Sequence, residues 1–263
     1  MGGRGATSSM GGGGSVGIGA IGGGSANAQP IQIDDTQVAS AFSTDYNTFM
    51  AMTDDEKADF IATNIQSGVP DHLAQNDFQR FVYNSGLNDK PDVVDDATLD
   101  TMTGTEMFRT VNNVYDRQND ISYNADQIAK QVQAGRVTRV SDNGGSRWGR
   151  GIYFADSYYG STGVYGNTNG DVKKTAVMRA KLNNNAKVIG YSQASRGVSK
   201  EISSGTKLGK VLRKCDSDSR ESIYAMAKGY NVILSDPGVG YITILNRNAM
   251  TMSKDIKPKG NSW

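Results

Sequence analysis

The stretch RWGRGIYFADS, residues 147–157, combines two glycines with an aromatic strand, and these residue types suit a nucleotide pocket. Gly149 and Gly151 allow unusual backbone dihedral angles, or the close approach of a planar ligand, just before the strand. Because side chains alternate along a strand, Tyr153 points away from its two apolar neighbours. If those neighbours face the core, the Tyr153 ring is exposed in a cleft and can stack on a nicotinamide or a base, worth about 1 kcal/mol. The alternative is a half-buried strand in which Tyr153 covers sheet surface.

The residues that follow this strand add polar and aromatic groups. Asp156 or Ser157 can cap a short helix. Tyr158, Tyr159 and Tyr165 then supply aromatic surface beside the strand. The candidate pocket therefore extends beyond the strand itself.

Arg109 is the second candidate, because it interrupts the apolar run MFRTV at residues 107–111. A guanidinium in such a strand is costly to bury unless a carboxylate, phosphate or carbonyl accepts its hydrogen bonds. The partner is either the phosphate or ribose of a nucleotide, or an internal Asp or Glu. Asn112 and Asn113 mark the end of the strand as a loop, where functional sites often lie.

The elements that must position these residues follow from hydrophobic periodicity. Helical patterns end at Gly135 and Gly229. Strands outnumber helices and do not alternate regularly with them, so the sequence predicts an α+β protein rather than a doubly wound parallel sheet. The predicted strands lie at residues 107–111, 151–155, 175–182, 186–191, 231–235 and 241–246.

The ends of the chain differ from its centre. Residues 1–30 are mostly Gly, Ser and Ala, a composition that predicts a disordered tail. Residues 31–100 predict a small helical region, in which Thr53 and Glu56 have the spacing of a capping box. We expect one domain at residues 101–256, and a short C-terminal tail after it.

Composition limits the classes to which the chain can belong. Its 263 residues are 37% hydrophobic, enough for a sizeable core, and the net charge of +1 favours neither a nucleic-acid-binding face nor an anionic membrane. The single cysteine, Cys215, excludes an internal disulfide and fits a reducing cytoplasm. The single histidine, His72, excludes a multi-histidine zinc site. No apolar run is long enough to span a bilayer, so we expect a cytoplasmic protein.

Three segments, in their order, resemble the ADP-ribosyltransferase superfamily. GRGIYFADSYYGSTGVYG at residues 149–166 is similar to the GxGIYFA strand of the poly(ADP-ribose) polymerase type. MFRTVN at residues 107–112 lies where that family has its first core strand. MAKGYNVILSDPGVGYITILNRNAM at residues 226–250 resembles the closing segment of ADP-ribosyltransferase-like proteins of bacteria and phages. The resemblance covers residues 100–255 and depends most on GRGIYFADS.

This resemblance implies a split mixed β-sheet with flanking helices that holds NAD in a bent conformation and transfers ADP-ribose with release of nicotinamide. It implies that Arg109 contacts the ribose or phosphates, and that Tyr153 stacks on the nicotinamide ring. The candidate NAD-binding residues are Arg109, Thr110, Gly151, Tyr153, Ser157 and Tyr165.

Two departures from the family pattern bear on activity. The NAD-holding residue of the first strand is normally followed by glycine, but Thr110 stands there. Active polymerase-type members place a glutamate at the last core strand, and GVGYITIL at residues 238–245 contains none. Asp236 is the nearest acid, and Glu201 and Glu221 are further candidates, although Glu221 fits a solvated charge at the start of a helix. The missing glutamate argues against chain polymerisation.

The leading interpretation is a mono-ADP-ribosyltransferase, encoded by a phage or prophage, that uses NAD as substrate and modifies a protein acceptor. Its catalytic candidates are Arg109, Tyr153 and Asp236, and no metal is expected. One alternative is a catalytically reduced virion or assembly protein that keeps the fold to bind phage structural proteins. Another is an NAD glycohydrolase or toxin that uses water as acceptor. Neither a membrane nor a nucleic-acid partner is expected.

Overall fold

A computed structural model of the chain describes residues 46–69, 74–87, 89–116, 121–135, 147–165 and 175–258. The predicted N-terminal tail, His72 and the residues after 258 lie outside the described residues, as do the side chains of residues 115–116, 121–123 and 163–165. No helix in the described part of the chain is long and apolar enough to cross a membrane.

Helices and strands are numbered here in chain order. The helices are α1 (Tyr46–Ala51), α2 (Asp54–Gln66), α3 (Asp77–Ser85), α4 (Asp96–Thr101), α5 (Ala125–Gln133), α6 (Tyr158–Tyr165), α7 (Tyr191–Ser204), α8 (Lys207–Lys214) and α9 (Arg220–Ala227). The strands are β1 (Asp92–Val94), β2 (Glu106–Asn112), β3 (Val114–Asp116), β4 (Ile121–Tyr123), β5 (Ile152–Ala155), β6 (Thr175–Leu182), β7 (Val188–Gly190), β8 (Val232–Leu234), β9 (Tyr241–Ile244) and β10 (Met250–Lys257).

Eight of these strands form one mixed sheet in the order β1-β10-β6-β2-β5-β9-β8-β7, and β3 pairs with β4 apart from it. The outer pairs β1/β10 and β7/β8 are parallel, and the other neighbours in the large sheet are antiparallel. This mixed sheet with flanking helices confirms the predicted α+β class. Strands β5, β6, β7, β8 and β9 lie within the predicted runs, and β2 extends its run by one residue at each end, whereas β1, β3, β4 and β10 lie outside the predicted runs.

The centre of the large sheet is weakly joined. Strand β2 pairs with β6 along its whole length, from Glu106 to Asn112, and β5 pairs with β9 along all four of its residues. Between β2 and β5, in contrast, only Phe108 and Ala155 are backbone partners. The sheet therefore consists of two well-paired halves that meet at one residue pair, and the two candidate strands lie on either side of this junction.

Each face of the sheet has its own hydrophobic cover. On the first face, α5 packs through Ile128 and Val132 on apolar residues of β2, β5, β6, β9 and β10. On the second face, α7, α8 and α9 pack over Ile189 of β7 and Ile233 of β8. The second cluster also contains Phe81 and other apolar residues of α1, α2 and α3. The predicted helical region therefore shares a core with the second half of the sheet instead of packing on its own.

Local signals explain where the helices begin and end. Thr53 and Glu56 form the predicted capping box at the start of α2. Helix α3 begins after Asn76, whose side chain caps it, and ends at Gly86, which has a φ of 69°. Strand β1 lies inside the region predicted to be helical and pairs with β10.

Candidate functional site

Tyr153 lies under the segment that precedes β5, residues 147–151, which we call the glycine loop. Tyr153 is only 4% exposed, so the expectation that its ring lies exposed in a cleft is wrong. The hydroxyl donates a hydrogen bond to the Gly149 carbonyl oxygen at 2.5 Å and accepts one from the Trp148 amide at 2.9 Å. The Thr243 hydroxyl donates to the Trp148 carbonyl at 3.4 Å. The loop is thus folded back over β5 and β9, because the tyrosine hydroxyl offers its backbone groups partners that water would otherwise supply.

Both glycines of the loop are needed for close packing. Gly149 has a φ of 86°, and a Cβ atom there would lie 2.7 Å from Oγ of Ser222 on α9. Gly151 has a φ of 156°, and a Cβ atom there would lie 2.6 Å from the Ile244 carbonyl oxygen on β9. The close approach predicted for these glycines is therefore an approach to the protein's own backbone and to α9.

Arg109 lies on the other side of the sheet from Tyr153. It shares a strand face with Met107 and Val111, which belong to the cluster under α5, and it is 6% exposed. Tyr153 lies on the same face of β5 as Ala155, and the backbone partner of Ala155 is Phe108. Phe108 and Arg109 are consecutive residues of β2, so their side chains point to opposite faces of the sheet. The prediction that Arg109 and Tyr153 line one pocket is therefore wrong, because strand alternation separates their side chains.

Thr110, like Phe108, is a residue that β2 presents on the Tyr153 side. Its hydroxyl is buried and lies 2.9 Å from the hydroxyl of Ser161 on α6, in a hydrogen bond that either group can donate. Ser157, the serine predicted for the pocket, instead accepts a hydrogen bond from the Gly160 amide at 3.1 Å at the start of α6. Sequence reasoning missed Ser161, although its position one helical turn after Ser157 is a usable signal.

The aromatic residues of α6 have different environments. Tyr158 packs edge-on against Phe108 with ring centroids 5.9 Å apart, so it covers the junction between β2 and β5. Tyr159 is 85% exposed. The side chain of Tyr165, the third predicted aromatic, lies outside the described residues.

The candidate acids differ sharply in burial. Glu221, in the first turn of α9, is 9% exposed, so the expectation of a solvated charge is wrong. Burial raises the pKa of its carboxyl above the ordinary value, and Ser195 donates a hydrogen bond to it. Asp236 accepts a hydrogen bond from the Ser192 hydroxyl at 2.6 Å. Glu201 accepts a hydrogen bond from the Thr206 hydroxyl and forms an ion pair with Lys228 at 3.0 Å, so both of its interactions lie away from the glycine loop.

Tyr191 connects these acids to the glycine loop. Its ring packs edge-on against Trp148 at 5.2 Å, and its pKa is raised by burial and then by the negative charges of Glu221, Asp218 and Asp236. Beside it, a surface depression of about 390 Å³ runs along α7. The residues that line the depression are Tyr191, Ser192, Ser195, Arg196 and Ser199.

We call the group formed by Trp148, Tyr191, Ser195, Glu221 and Asp236 the acidic corner. It contains a buried carboxyl with a raised pKa, a serine that donates to it, and two aromatic rings. A buried carboxylate with a raised pKa binds a proton more readily than an exposed one, which suits the role of a general base. Sequence reasoning missed Trp148 and Tyr191, because only folding brings α7 and α9 beside the loop.

The described residues contain no group of three His, Cys, Asp or Glu side chains placed to hold a metal ion. Comparisons with protein-family models, with curated proteins and with solved structures found no match to this chain. The case for any function therefore depends on the sequence motif and on the geometry described above.

Proposed function

We propose that this protein transfers a single ADP-ribose from NAD to a protein acceptor, with release of nicotinamide. The observation that carries the proposal is the junction of the two half-sheets, where β2 and β5 share only the Phe108–Ala155 pair. These are the two strands whose sequences resemble the first two core strands of ADP-ribosyltransferases. A split sheet of that kind is what the resemblance implies for a fold that holds NAD.

The side of the junction that carries Tyr153 is the side on which we expect NAD to bind. Thr110 and Ser161 lie there from β2 and α6, and Tyr241 adds a half-buried ring 6.5 Å from that of Tyr153. The glycine loop borders the same face through Trp148. Arg109 has no part in this proposed site, since its side chain lies on the α5 face of the sheet.

The reaction breaks the bond between the anomeric carbon of the ribose and the nicotinamide nitrogen. Nicotinamide leaves with the bonding electrons, and positive charge develops on the ribose, as in glycoside hydrolysis. The acceptor's nucleophile forms the new bond to the anomeric carbon and gives its proton to a carboxylate. We assign this carboxylate to Glu221, with Asp236 as the second acid of the acidic corner.

The test is incubation of the full chain with NAD labelled in the adenylate, together with candidate acceptor proteins. Label carried onto protein supports transfer, and free labelled ADP-ribose supports the glycohydrolase alternative. Glu221→Gln should lower turnover by about a hundredfold. Glu201→Gln is the matched control, because Glu201 also receives a hydroxyl hydrogen bond but lies in an ion pair outside the acidic corner. Absence of both turnover and NAD binding in the unmodified chain would refute the proposal.

A second candidate function, a binding protein without catalysis, is favoured by one observation. Strand β9, the partner of β5, carries the side chains of YITI and no carboxylate. A protein with this strand could keep a nucleotide-binding or protein-binding surface and lack the chemical step. NAD binding in calorimetry without label transfer or hydrolysis would support this function over the first.

A further inference from the structure

A second cavity lies between α2 and α8, in the helical part of the protein. Its volume is about 300 Å³, at the lower end of the range for pockets that hold small molecules. Ala62, Ile65, Val211 and Cys215 form its apolar wall. Ile65 and Val211 also pack on the hydrophobic cluster of the helices, so this wall is supported by the core.

The rim of the cavity is basic. Lys207, Lys210 and Lys214 of α8 line it, and their spacing of three and four residues places them along one face of the helix. Asp59 lies across the cavity and forms an ion pair with Lys207. That pair leaves the other two lysines to set the charge of the rim.

The remaining acid of the lining also has a cationic partner. Asp77 forms an ion pair with Arg80 at 3.1 Å. Neither Lys210 nor Lys214 forms an ion pair with any acid among the described residues. The rim therefore carries two lysines without an ion-pair partner beside an apolar wall.

Cys215 contributes to the wall as a neutral group. Burial raises the pKa of its thiol to about 12, so the thiolate that would be needed for covalent chemistry does not form near neutral pH. The site is thus suited to non-covalent binding.

We propose that this cavity binds a small anionic amphiphile, a molecule with one carboxylate or phosphate group and a short apolar chain. The apolar chain contacts Ala62, Ile65 and Val211, and the anionic group lies between Lys210 and Lys214. Charge complementarity selects the anion, and the small volume selects a short chain over an extended polypeptide. This inference is independent of the proposed reaction with NAD.

Octanoate is a suitable probe, because it has one carboxylate and a short alkyl chain. Isothermal titration of the full chain with sodium octanoate should give saturable binding at one site, while octylammonium should not bind. The double variant K210E/K214E should weaken octanoate binding by at least about tenfold. The variant K200E/K254E is the matched control, since both lysines are exposed and lie outside the cavity.

Ala62→Leu provides a test that leaves the charges unchanged. The larger side chain fills part of the cavity, so octanoate affinity should fall while the circular dichroism spectrum and Tm stay close to those of the unmodified chain. Equal binding of octanoate and octylammonium would overturn the proposal, as would octanoate binding that neither K210E/K214E nor Ala62→Leu reduces. Binding of an acidic peptide in place of octanoate would also count against it, because the site would then be a protein-docking surface.

Discussion

Gly151→Ala is the substitution that tests the packing of the glycine loop most directly. A Cβ atom at this position would lie 2.6 Å from the Ile244 carbonyl oxygen and 2.8 Å from Cγ2 of Thr243, both in the paired strand β9. The backbone φ of 156° is also unfavourable for an L-residue. Strain and displacement of the paired backbone together should cost about 3 kcal/mol. For a chain of this size, that corresponds to a fall in Tm of about 10 °C.

Gly238→Ala separates strain from steric overlap. Gly238 has a φ of 85°, and a Cβ atom there would meet no other atom within 4 Å, so its substitution tests the conformational cost alone. It should lower the free energy of unfolding by about 1 kcal/mol. Urea unfolding followed by circular dichroism gives both values. If Gly151→Ala costs no more than Gly238→Ala, the close approach of the loop to β9 is not what requires glycine at position 151.

Three further substitutions test the surroundings of the site. Tyr153→Phe removes the hydroxyl that holds Gly149 and should lower the free energy of unfolding by about 1 to 3 kcal/mol, with faster amide hydrogen exchange in the loop. The raised pKa of Glu221 means that the unmodified protein should lose stability as pH rises from below the ordinary carboxyl pKa through the raised value. Glu221→Gln should lack this loss in urea unfolding across a pH series, and an unchanged pH dependence would contradict the buried carboxyl. Thr110→Val leaves the Ser161 hydroxyl without its partner and should cost about 1 kcal/mol; a double-mutant cycle with Ser161→Ala should reveal a coupling between the two sites, and strict additivity would argue against the hydrogen bond.

Strand periodicity carried much of the fold prediction. The runs that form β2, β5, β6, β7, β8 and β9 have apolar or alternating side chains, because each strand contributes buried apolar residues to at least one of the two hydrophobic clusters. Strand β10, with the sequence MTMSKDIK, escapes this pattern because its second half is polar and its pairing with β6 shifts register between Met252 and Ile256. Helix-capping residues such as Thr53 predicted that residues 31–100 contain helices. Capping is a local interaction, however, so it could not predict that these helices share a core with α7, α8 and α9.

The sequence by itself determined the composition class, most of the strands, and the position of the glycine and aromatic motif. It also determined the side-chain alternation of β2 and β5. Only the tertiary structure decided that Arg109 and Tyr153 occupy opposite faces, because that depends on which residues of the two strands are partners. The burial of Glu221 was likewise decided by packing, since α9 meets the glycine loop through a contact between residues 72 positions apart in the chain. Charge and periodicity are local properties, whereas the environment of a carboxyl depends on everything that packs around it.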